Sequence, residues 1–95
     1  MSAYWIAIYK NLNKPEDLKA YAEKATPAIK KHNGKILVRG GIAETIEGES
    51  SPRTVIIEFP SIEEALKCYH SKEYQSAKKI VKGGFNRHIQ IVEGI

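Results

Sequence analysis

The stretch that decides the fold runs over residues 59–74 and reads FPSIEEALKCYHSKEY. Pro60 ends a run of β-branched residues, because proline lacks the N–H that a strand ladder needs. Ser61 and Glu64 then form a capping box, which is typical of a helix N-terminus. The helix is interrupted at the His-Ser pair of residues 70–71, where the serine is a new N-cap candidate. The stretch therefore predicts a strand followed directly by a helix in two segments.

Strand and helix patterns extend in both directions from this stretch. The predicted elements are a strand over 3–9, a helix from Pro15 to Asn33-Gly34, strands over 35–42 and 53–59, a broken helix ending at Gly83-Gly84, and a strand over 88–94. The order β-α-β-β-α-β is typical of a ferredoxin-like α+β sandwich, with both helices on one face of a four-stranded antiparallel sheet. Right-handed crossovers favour the strand order 4-1-3-2. A length of 95 residues fits a single domain over residues 1–95.

Glycine and proline predict the turns and breaks within these elements. Pro27 is expected to kink or break the first helix, and Gly34 to end it in the left-handed conformation. Gly40-Gly41 favours a bulge or a close backbone approach, after which residues 43–52 are expected to carry the strand on before turning. Lys82 and its neighbouring lysines lie near the end of the second helix, where the helix dipole favours cations. The buried stripe of that helix is predicted to be Ile62, Ala65, Leu66 and Tyr69.

Both faces of the predicted sheet are apolar. The strand over 3–9 places Tyr4, Ile6 and Ile8 on one face and Trp5, Ala7 and Tyr9 on the other. The strand over 53–59 places Val55, Ile57 and Phe59 on one face and Thr54, Ile56 and Glu58 on the other. A sheet covered by helices on one side only is expected to have a polar open face. We therefore expect a second subunit to bury this open face, in a homodimer.

Composition and charge exclude several classes of function. The net charge is +4, but lysines and acids are interleaved, which is typical of solvated helix faces. RNA-recognition motifs share this element order, yet Val55 and Ile57 stand where stacking aromatics are needed, so no nucleic-acid partner is expected. No segment reaches the roughly 18 apolar residues of a membrane span, so no membrane partner is expected. The single cysteine, Cys68, and the absence of metal-binding spacing predict a cytoplasmic protein without a cofactor or metal.

Four blocks along the chain resemble a known family. They are LVRGG (37–41), VIIEFPS (55–61), CYHSKEYQ (68–75) and IVEG (91–94). With this spacing the chain is similar to the small bacterial family of domains of unknown function numbered thirteen-thirty. The resemblance implies a dimeric α/β-barrel, in which two ferredoxin-like sheets pack face to face. It implies no particular reaction, although cofactor-independent monooxygenases and isomerases share that architecture.

Arg39 and Glu58 are the first candidates for a ligand site. Arg39 lies on a strand beside two glycines, and a guanidinium in such a place can hold a carboxylate with two hydrogen bonds. Glu58 is the expected neighbour of Arg39 on the following strand. The two residues therefore either form a structural ion pair or contribute to ligand binding.

The helix break supplies the other candidates, Tyr69, His70, Ser71 and Tyr74. A histidine titrates near neutral pH, so His70 is a candidate general acid or base, and Tyr74 is a second candidate for handling a proton. Ser71 is expected to cap the restarted helix or to donate a hydrogen bond to a ligand. The alternative is that Ser71 only caps the helix and His70 is a solvated connector.

These residues favour a protein that binds a small apolar carboxylate or aromatic molecule between sheet and helices, with Arg39 orienting the acid group. Trp5, Tyr9 and Tyr69 would line such a pocket or belong to the core. The alternative function is a non-catalytic structural or interaction module, and a monooxygenase- or isomerase-like enzyme is less favoured. Whether the protein is an enzyme stays open at this point.

Overall fold

The computed structural model describes residues 1–12, 14–81 and 83–95. Its elements are β1 (Ala3–Tyr9), α1 (Pro15–Lys31), β2 (Lys35–Arg39), β3 (Arg53–Phe59), α2 (Ile62–His70), α3 (Lys72–Lys78) and β4 (Arg87–Glu93). The bounds predicted for the first and third strands agree with β1 and β3. The interruption of the second helix at residues 70–71 is confirmed. Lys82, expected near the end of that helix, lies outside the described residues.

The four strands form one antiparallel sheet in the order β2-β3-β1-β4. Read from the other edge, this is 4-1-3-2. The element order and this sheet are those of an α+β ferredoxin-like fold, with three helices in the described residues because the second predicted helix is split. The helices cover one face of the sheet, where the side chains of alternate residues of β1 are buried beneath them.

The core lies between the helices and the covered face of the sheet. Its largest fully buried side chains are Trp5, Tyr74, Phe59 and Cys68. The Trp5 ring stacks on Phe59 at 5.9 Å and meets the Tyr74 ring edge-on at 5.0 Å. Aromatic pairs in these geometries add to the stabilisation that comes from burial alone. The alternation of β1 therefore places Trp5 and Tyr9 in the core and Tyr4 on the open face.

For the first helix, the expected break at Pro27 and the expected left-handed conformation of Gly34 are wrong. Helix α1 continues through Pro27, which is exposed, so the ring requires no space in the core. The preceding residue makes a local side-chain bond as well, since Thr26 Oγ1 donates to the Ala22 carbonyl at 2.7 Å. The left-handed residue at the end is Asn33, with φ 64°, rather than Gly34. Gly34 is needed for a different reason: a Cβ there would lie 2.9 Å from the Phe59 ring.

The second strand and the second helix are both shorter than predicted. Strand β2 ends at Arg39, and residues 40–52 form no strand, because Gly40 turns the chain away with φ 63°. The irregularity in the ladder lies between Ile36 and Val38 rather than at the glycines. Helix α3 ends at Lys78, before the glycine pair. Leu66, predicted to be buried, is 43% exposed. Among the described residues, no helix combines the length and apolar character needed to cross a membrane.

Candidate functional site

One end of the sheet brings arginine side chains together on its helix-covered face. Tyr9, the last residue of β1, is paired with Arg53 of β3 on one side and with Arg87 of β4 on the other. Directly paired residues of antiparallel strands point to the same face of a sheet. Arg39, at the end of β2, is paired with Val55, which lies on the same face of β3 as Arg53 and two residues further along the strand. The register therefore places Arg53 and Arg87 on either side of Tyr9, and Arg39 nearby on the same face of the sheet.

These three arginines line a cavity of about 50 Å³ between the sheet and α1. They are all the arginines of the chain, and no described lysine lines the cavity. The remaining walls are largely apolar side chains of α1 and the sheet: Leu18, Ala22, Ala25, Ile29, Ala7, Ile36, Val55 and Ile57. Arginine differs from lysine in presenting a planar fork of donors that matches carboxylate and phosphate groups. The cavity is thus apolar inside and lined by one type of cation.

Arg87 is held in place by tyrosines. Its Nη1 donates to the Tyr9 hydroxyl at 3.1 Å and its Nη2 to the Tyr74 hydroxyl at 2.8 Å. The Tyr74 hydroxyl is also hydrogen-bonded to that of Tyr21, at 2.6 Å. The guanidinium carbon lies 4.0 Å from the centre of the Phe85 ring, a cation–π geometry. Arg87 is therefore fixed by neutral groups, and no carboxylate among the described residues pairs with it.

The two inner tyrosines of this network stay protonated at neutral pH. Burial raises the pKa of Tyr74, and likewise the pKa of Tyr21, above the ordinary value for tyrosine. Their hydroxyl groups then act only as neutral donors and acceptors. The network consequently orients Arg87 without compensating its positive charge.

Arg53 carries an unsatisfied donor. Its Nε is buried and has no hydrogen-bond partner among the described residues. The guanidinium lies over the Tyr9 ring, 5.9 Å from its centre, and beside Gly40, where a Cβ would collide with it. A buried donor without a partner costs about 1–3 kcal/mol, so a bound ligand that accepts from this N–H would remove that cost.

The cavity lacks a matching negative charge. Among the residues that the structure describes, the ion pair found joins Lys31 and Glu73, at 3.2 Å, and involves none of the arginines. Arg39 is exposed at the mouth of the cavity, Arg53 and Arg87 are half-buried, and each carries its charge without an acid partner. An apolar cavity with three unpaired guanidinium groups is suited to an anion that has an apolar part.

The predicted pairing of Arg39 with Glu58 is wrong. Glu58 is paired with Lys35 across the β2–β3 ladder, while Arg39 is paired with Val55 at the other end of it. Glu58 points to the open face of the sheet, where its carboxylate accepts a hydrogen bond from the Tyr4 hydroxyl at 3.2 Å. The two predicted partners therefore lie on opposite faces. Only Arg39 belongs to the cavity.

The four candidate residues at the helix break have different positions and roles in the structure. Ser71 caps α3: its Oγ accepts from the Tyr74 N–H at 3.2 Å and donates to the Cys68 carbonyl at 2.7 Å. Tyr74 is fully buried and reaches the cavity through Arg87. His70 is exposed and stacks edge-on with Tyr69 at 5.2 Å. Tyr69 and His70 line a different depression, between α2 and β4, so His70 does not share a site with Arg39.

Cys68 and the histidines contribute nothing to the cavity. Cys68 is fully buried beneath α1, and burial raises the pKa of its thiol to about 12, so it is unreactive at neutral pH. The described residues contain no group of three or more His, Cys, Asp or Glu side chains placed to hold a metal. The arginines and tyrosines at this site can recognise an anion by its charge and shape.

Sequence reasoning missed Arg53, Arg87 and Tyr21 as site residues. Arg53 and Arg87 are the first residues of β3 and β4, and they share the inward parity of Val55 and Ile89. That parity was available from the sequence. Their meeting around Tyr9 depends on the register of both ladders, which the sequence alone leaves open.

A family assignment follows from comparison with known proteins. The model of the family DUF1330, described as a domain of unknown function, matches residues 2–95. The chain belongs to the DUF1330 family. No curated protein matches this DUF1330 domain.

Solved structures of other proteins share the fold of this DUF1330 domain. A protein of unknown function from Rhodopseudomonas palustris is 16% identical with a TM-score of 0.77, over 99% of this chain and 82% of that one. A protein of the ethyl tert-butyl ether D (EthD) family from Bacillus halodurans is 16% identical with a TM-score of 0.62, over all of both chains. A dimeric protein of unknown function with a ferredoxin-like fold, from Bacteroides fragilis, is 14% identical with a TM-score of 0.58, over 98% and 96%. At these identities the likeness concerns the fold alone.

Proposed function

We propose that this DUF1330 domain binds a small carboxylate with a short apolar tail in the cavity between α1 and the sheet. The observation that carries the proposal is the meeting of all three arginines of the chain around one apolar cavity, with no acid partner among the described residues. The buried, unpartnered Nε of Arg53 supports it further. Arg39, Arg53 and Arg87 form the anion site in this proposal, and Tyr74 positions Arg87.

The volume of the cavity limits the size of the ligand that it can hold. An engineered apolar cavity of about 150 Å³ holds a benzene molecule, so a cavity of one third that volume holds about two or three carbon atoms. The volume here is about 50 Å³. An aromatic ring therefore exceeds the space inside, whereas a short aliphatic tail fits with its carboxylate at the arginines. This favours the carboxylate over the aromatic ligand considered from the sequence.

The chemistry of the arginine side chain explains why the proposed ligand is an anion. A guanidinium donates two parallel hydrogen bonds to a carboxylate, and such charge-assisted bonds are about twice as strong as neutral ones. Within apolar surroundings the attraction is screened less than in water. An alcohol of equal length would bury the same tail but leave the arginines without an anion.

A thermal-shift screen tests the proposal. Straight-chain carboxylates from acetate to octanoate are compared with the alcohols of equal length, because a ligand that binds only the folded state raises the melting temperature. We expect the carboxylates of about three to five carbons to give the largest increase, from the cavity volume, and the alcohols to give none. A flat response across the series would contradict ligand binding and favour the non-catalytic structural module.

We propose in addition that the protein is a homodimer built through the open face of its sheet. Ile8, Val38 and Val92 lie on this face with 40%, 37% and 44% of their surface exposed. Stable interfaces bury about 800 Å² on each partner and have apolar centres. The dimeric protein from Bacteroides fragilis, which shares the fold, supports the proposal. Light scattering that gives the mass of one 10.7 kDa chain at micromolar concentration would overturn it.

A further inference from the structure

The connection between β2 and β3 projects from the domain as an arm, defined here as residues 40–51. Every residue from Gly40 to Ser50 is exposed, and a Cβ added at Gly41 or Gly48 would meet no other atom within 4 Å. Two of the arm's residues are isoleucines, Ile42 and Ile46, which are 109% and 90% exposed. Isoleucine is among the residues most often buried in proteins, so two of them on one projecting arm indicate a missing partner surface.

The base of the arm is fixed to the sheet. The Gly40 N–H donates to the Thr54 carbonyl at 2.9 Å, and Ser51 Oγ donates to the Tyr9 carbonyl at 2.6 Å. The arm also carries a single sign of charge: Glu44, Glu47 and Glu49 lie in it, and no lysine or arginine does. Its partner surface should therefore be apolar and flanked by cations.

The chain presents a surface of this kind between α2 and β4. A shallow groove of about 300 Å³ is lined by Ile62, Leu66, Tyr69, His70, Ile89 and Ile91. Leu66 is 43% exposed there, although it lies on the apolar side of α2. Lys78 Nζ lies 4.9 Å from the centre of the Tyr69 ring and donates to the Tyr69 hydroxyl at 2.9 Å. The end of the groove at Tyr69 and His70 is thus basic.

The lengths of the arm and the groove agree. In extended chain, the four steps from Ile42 to Ile46 span about 13 Å. Along α2, the eight steps from Ile62 to His70 span about 12 Å. The two isoleucines can therefore occupy both ends of the groove, with Glu47 beside the basic end if Ile46 lies near Tyr69.

We propose that the arm of one copy of this chain lies in the α2–β4 groove of a second copy, with Ile42 and Ile46 as its apolar anchors. Within one chain the arm leaves from the β2 edge of the sheet and the groove lies at the β4 edge, with β3 and β1 between them. In a twofold dimer the exchange is reciprocal, so two arms fill two grooves. The inference rests on the self-association proposed above and adds a second contact to it.

Cysteine cross-linking tests the exchange. The double variant Ile46→Cys with Leu66→Cys places one thiol on the arm and one in the groove, and both positions are exposed, so the fold is retained. The native Cys68 is buried and unreactive. Upon mild oxidation we expect most of the protein to become covalent dimer on a non-reducing gel. The control, Ile46→Cys with Lys19→Cys on the exposed side of α1, should stay largely monomeric.

Other outcomes of this experiment are decisive. An internal disulfide, seen as a monomer whose one remaining free thiol is that of Cys68, would show that the arm folds onto its own chain and would overturn the proposal. A wild-type protein that is dimeric by light scattering, with no cross-link in either variant, would overturn the exchange but leave the open-face dimer standing. A monomer at all concentrations would overturn both, while the carboxylate screen of the cavity would be unaffected.

A second variant measures the strength of the contact. Replacing both isoleucines, Ile42→Ser and Ile46→Ser, should raise the dissociation constant of the dimer by at least about tenfold, because apolar anchors at interface centres dominate affinity. Ile95→Ser is the matched control, since Ile95 is 120% exposed at the C-terminus and lies outside the arm. Equal dissociation constants for the arm variant and the control would contradict the proposal.

Discussion

The two faces of the sheet are built by the same strands and have similar apolar content, yet they differ in what covers them. On one face, Trp5 and Phe59 are buried beneath the helices, at 1% and 0% exposure. On the other, Ile6 and Ile56 are paired across β1 and β3 and remain half-exposed. The covered face also holds the arginine-lined cavity. The difference supports the proposal that a second copy of the chain covers the open face.

The largest effect is expected on the covered face. Trp5→Ala removes a fully buried ring that contacts Phe59, Tyr69 and Tyr74, and should lower the free energy of unfolding by about 3–5 kcal/mol. Urea unfolding at several protein concentrations measures this loss, which should not depend on concentration. Ile8→Ala, on the open face of the same strand, is the control. A loss of similar size in the control would remove the distinction between the faces.

The second-largest effect is expected on the dissociation constant of the dimer, from a substitution on the open face. Ile6→Lys places a charge at the centre of the proposed interface, opposite Ile56 and Gln90, and should raise the dimer dissociation constant by about a hundredfold. The monomer should stay folded by circular dichroism, because Ile6 points away from the helices. Sedimentation at a series of concentrations measures the constant. Unchanged assembly in a folded variant would show that this face is not the interface.

Within the covered face, Arg87 should act as a structural residue. Arg87→Met leaves the Tyr9 and Tyr74 hydroxyls without their donor, and should lower the free energy of unfolding by about 1–3 kcal/mol. Chemical unfolding measures the change. Lys19→Met, which removes an exposed cation from α1, is the control and should have little effect. A stability equal to that of the wild type would contradict the role assigned to this network.

Replacing Arg53 should affect the free energy of unfolding in the opposite direction to replacing Arg87. Its Nε has no partner among the described residues, so Arg53→Met keeps the apolar stem and removes an unsatisfied group. The free energy of unfolding without ligand should rise by about 1 kcal/mol or stay unchanged. The same variant should lose the stabilisation by short carboxylates. A clear loss of stability without ligand would make Arg53 a structural residue like Arg87.

Local features of the fold were predictable from the sequence, and features set by register were not. The caps at Ser61 and Ser71 and the strands over 3–9 and 53–59 depend on neighbouring residues, and the structure has them as predicted. The Arg39–Glu58 pair failed because the β2–β3 register places the two residues on opposite faces.

The arginine cluster could not be predicted for a related reason. Arg39, Arg53 and Arg87 are distant in sequence and meet only when three ladders are in register. A shift of one residue in any ladder would send an arginine to the other face. Of the three, only Arg39 was a candidate from the sequence, because of the glycines beside it. The three side chains come together only in the assembled sheet.

Binding of butyrate, measured by isothermal titration calorimetry on the wild type, Arg53→Met and Lys19→Met, tests the anion site most directly. Loss of one charge-assisted contact of about 1.5–3 kcal/mol should weaken binding by about tenfold to more than a hundredfold. We expect butyrate to bind once per chain to the wild type and Lys19→Met, and to bind Arg53→Met too weakly to measure. Equal butyrate binding by all three proteins, or none by the wild type, would contradict a carboxylate site at the arginine-lined cavity.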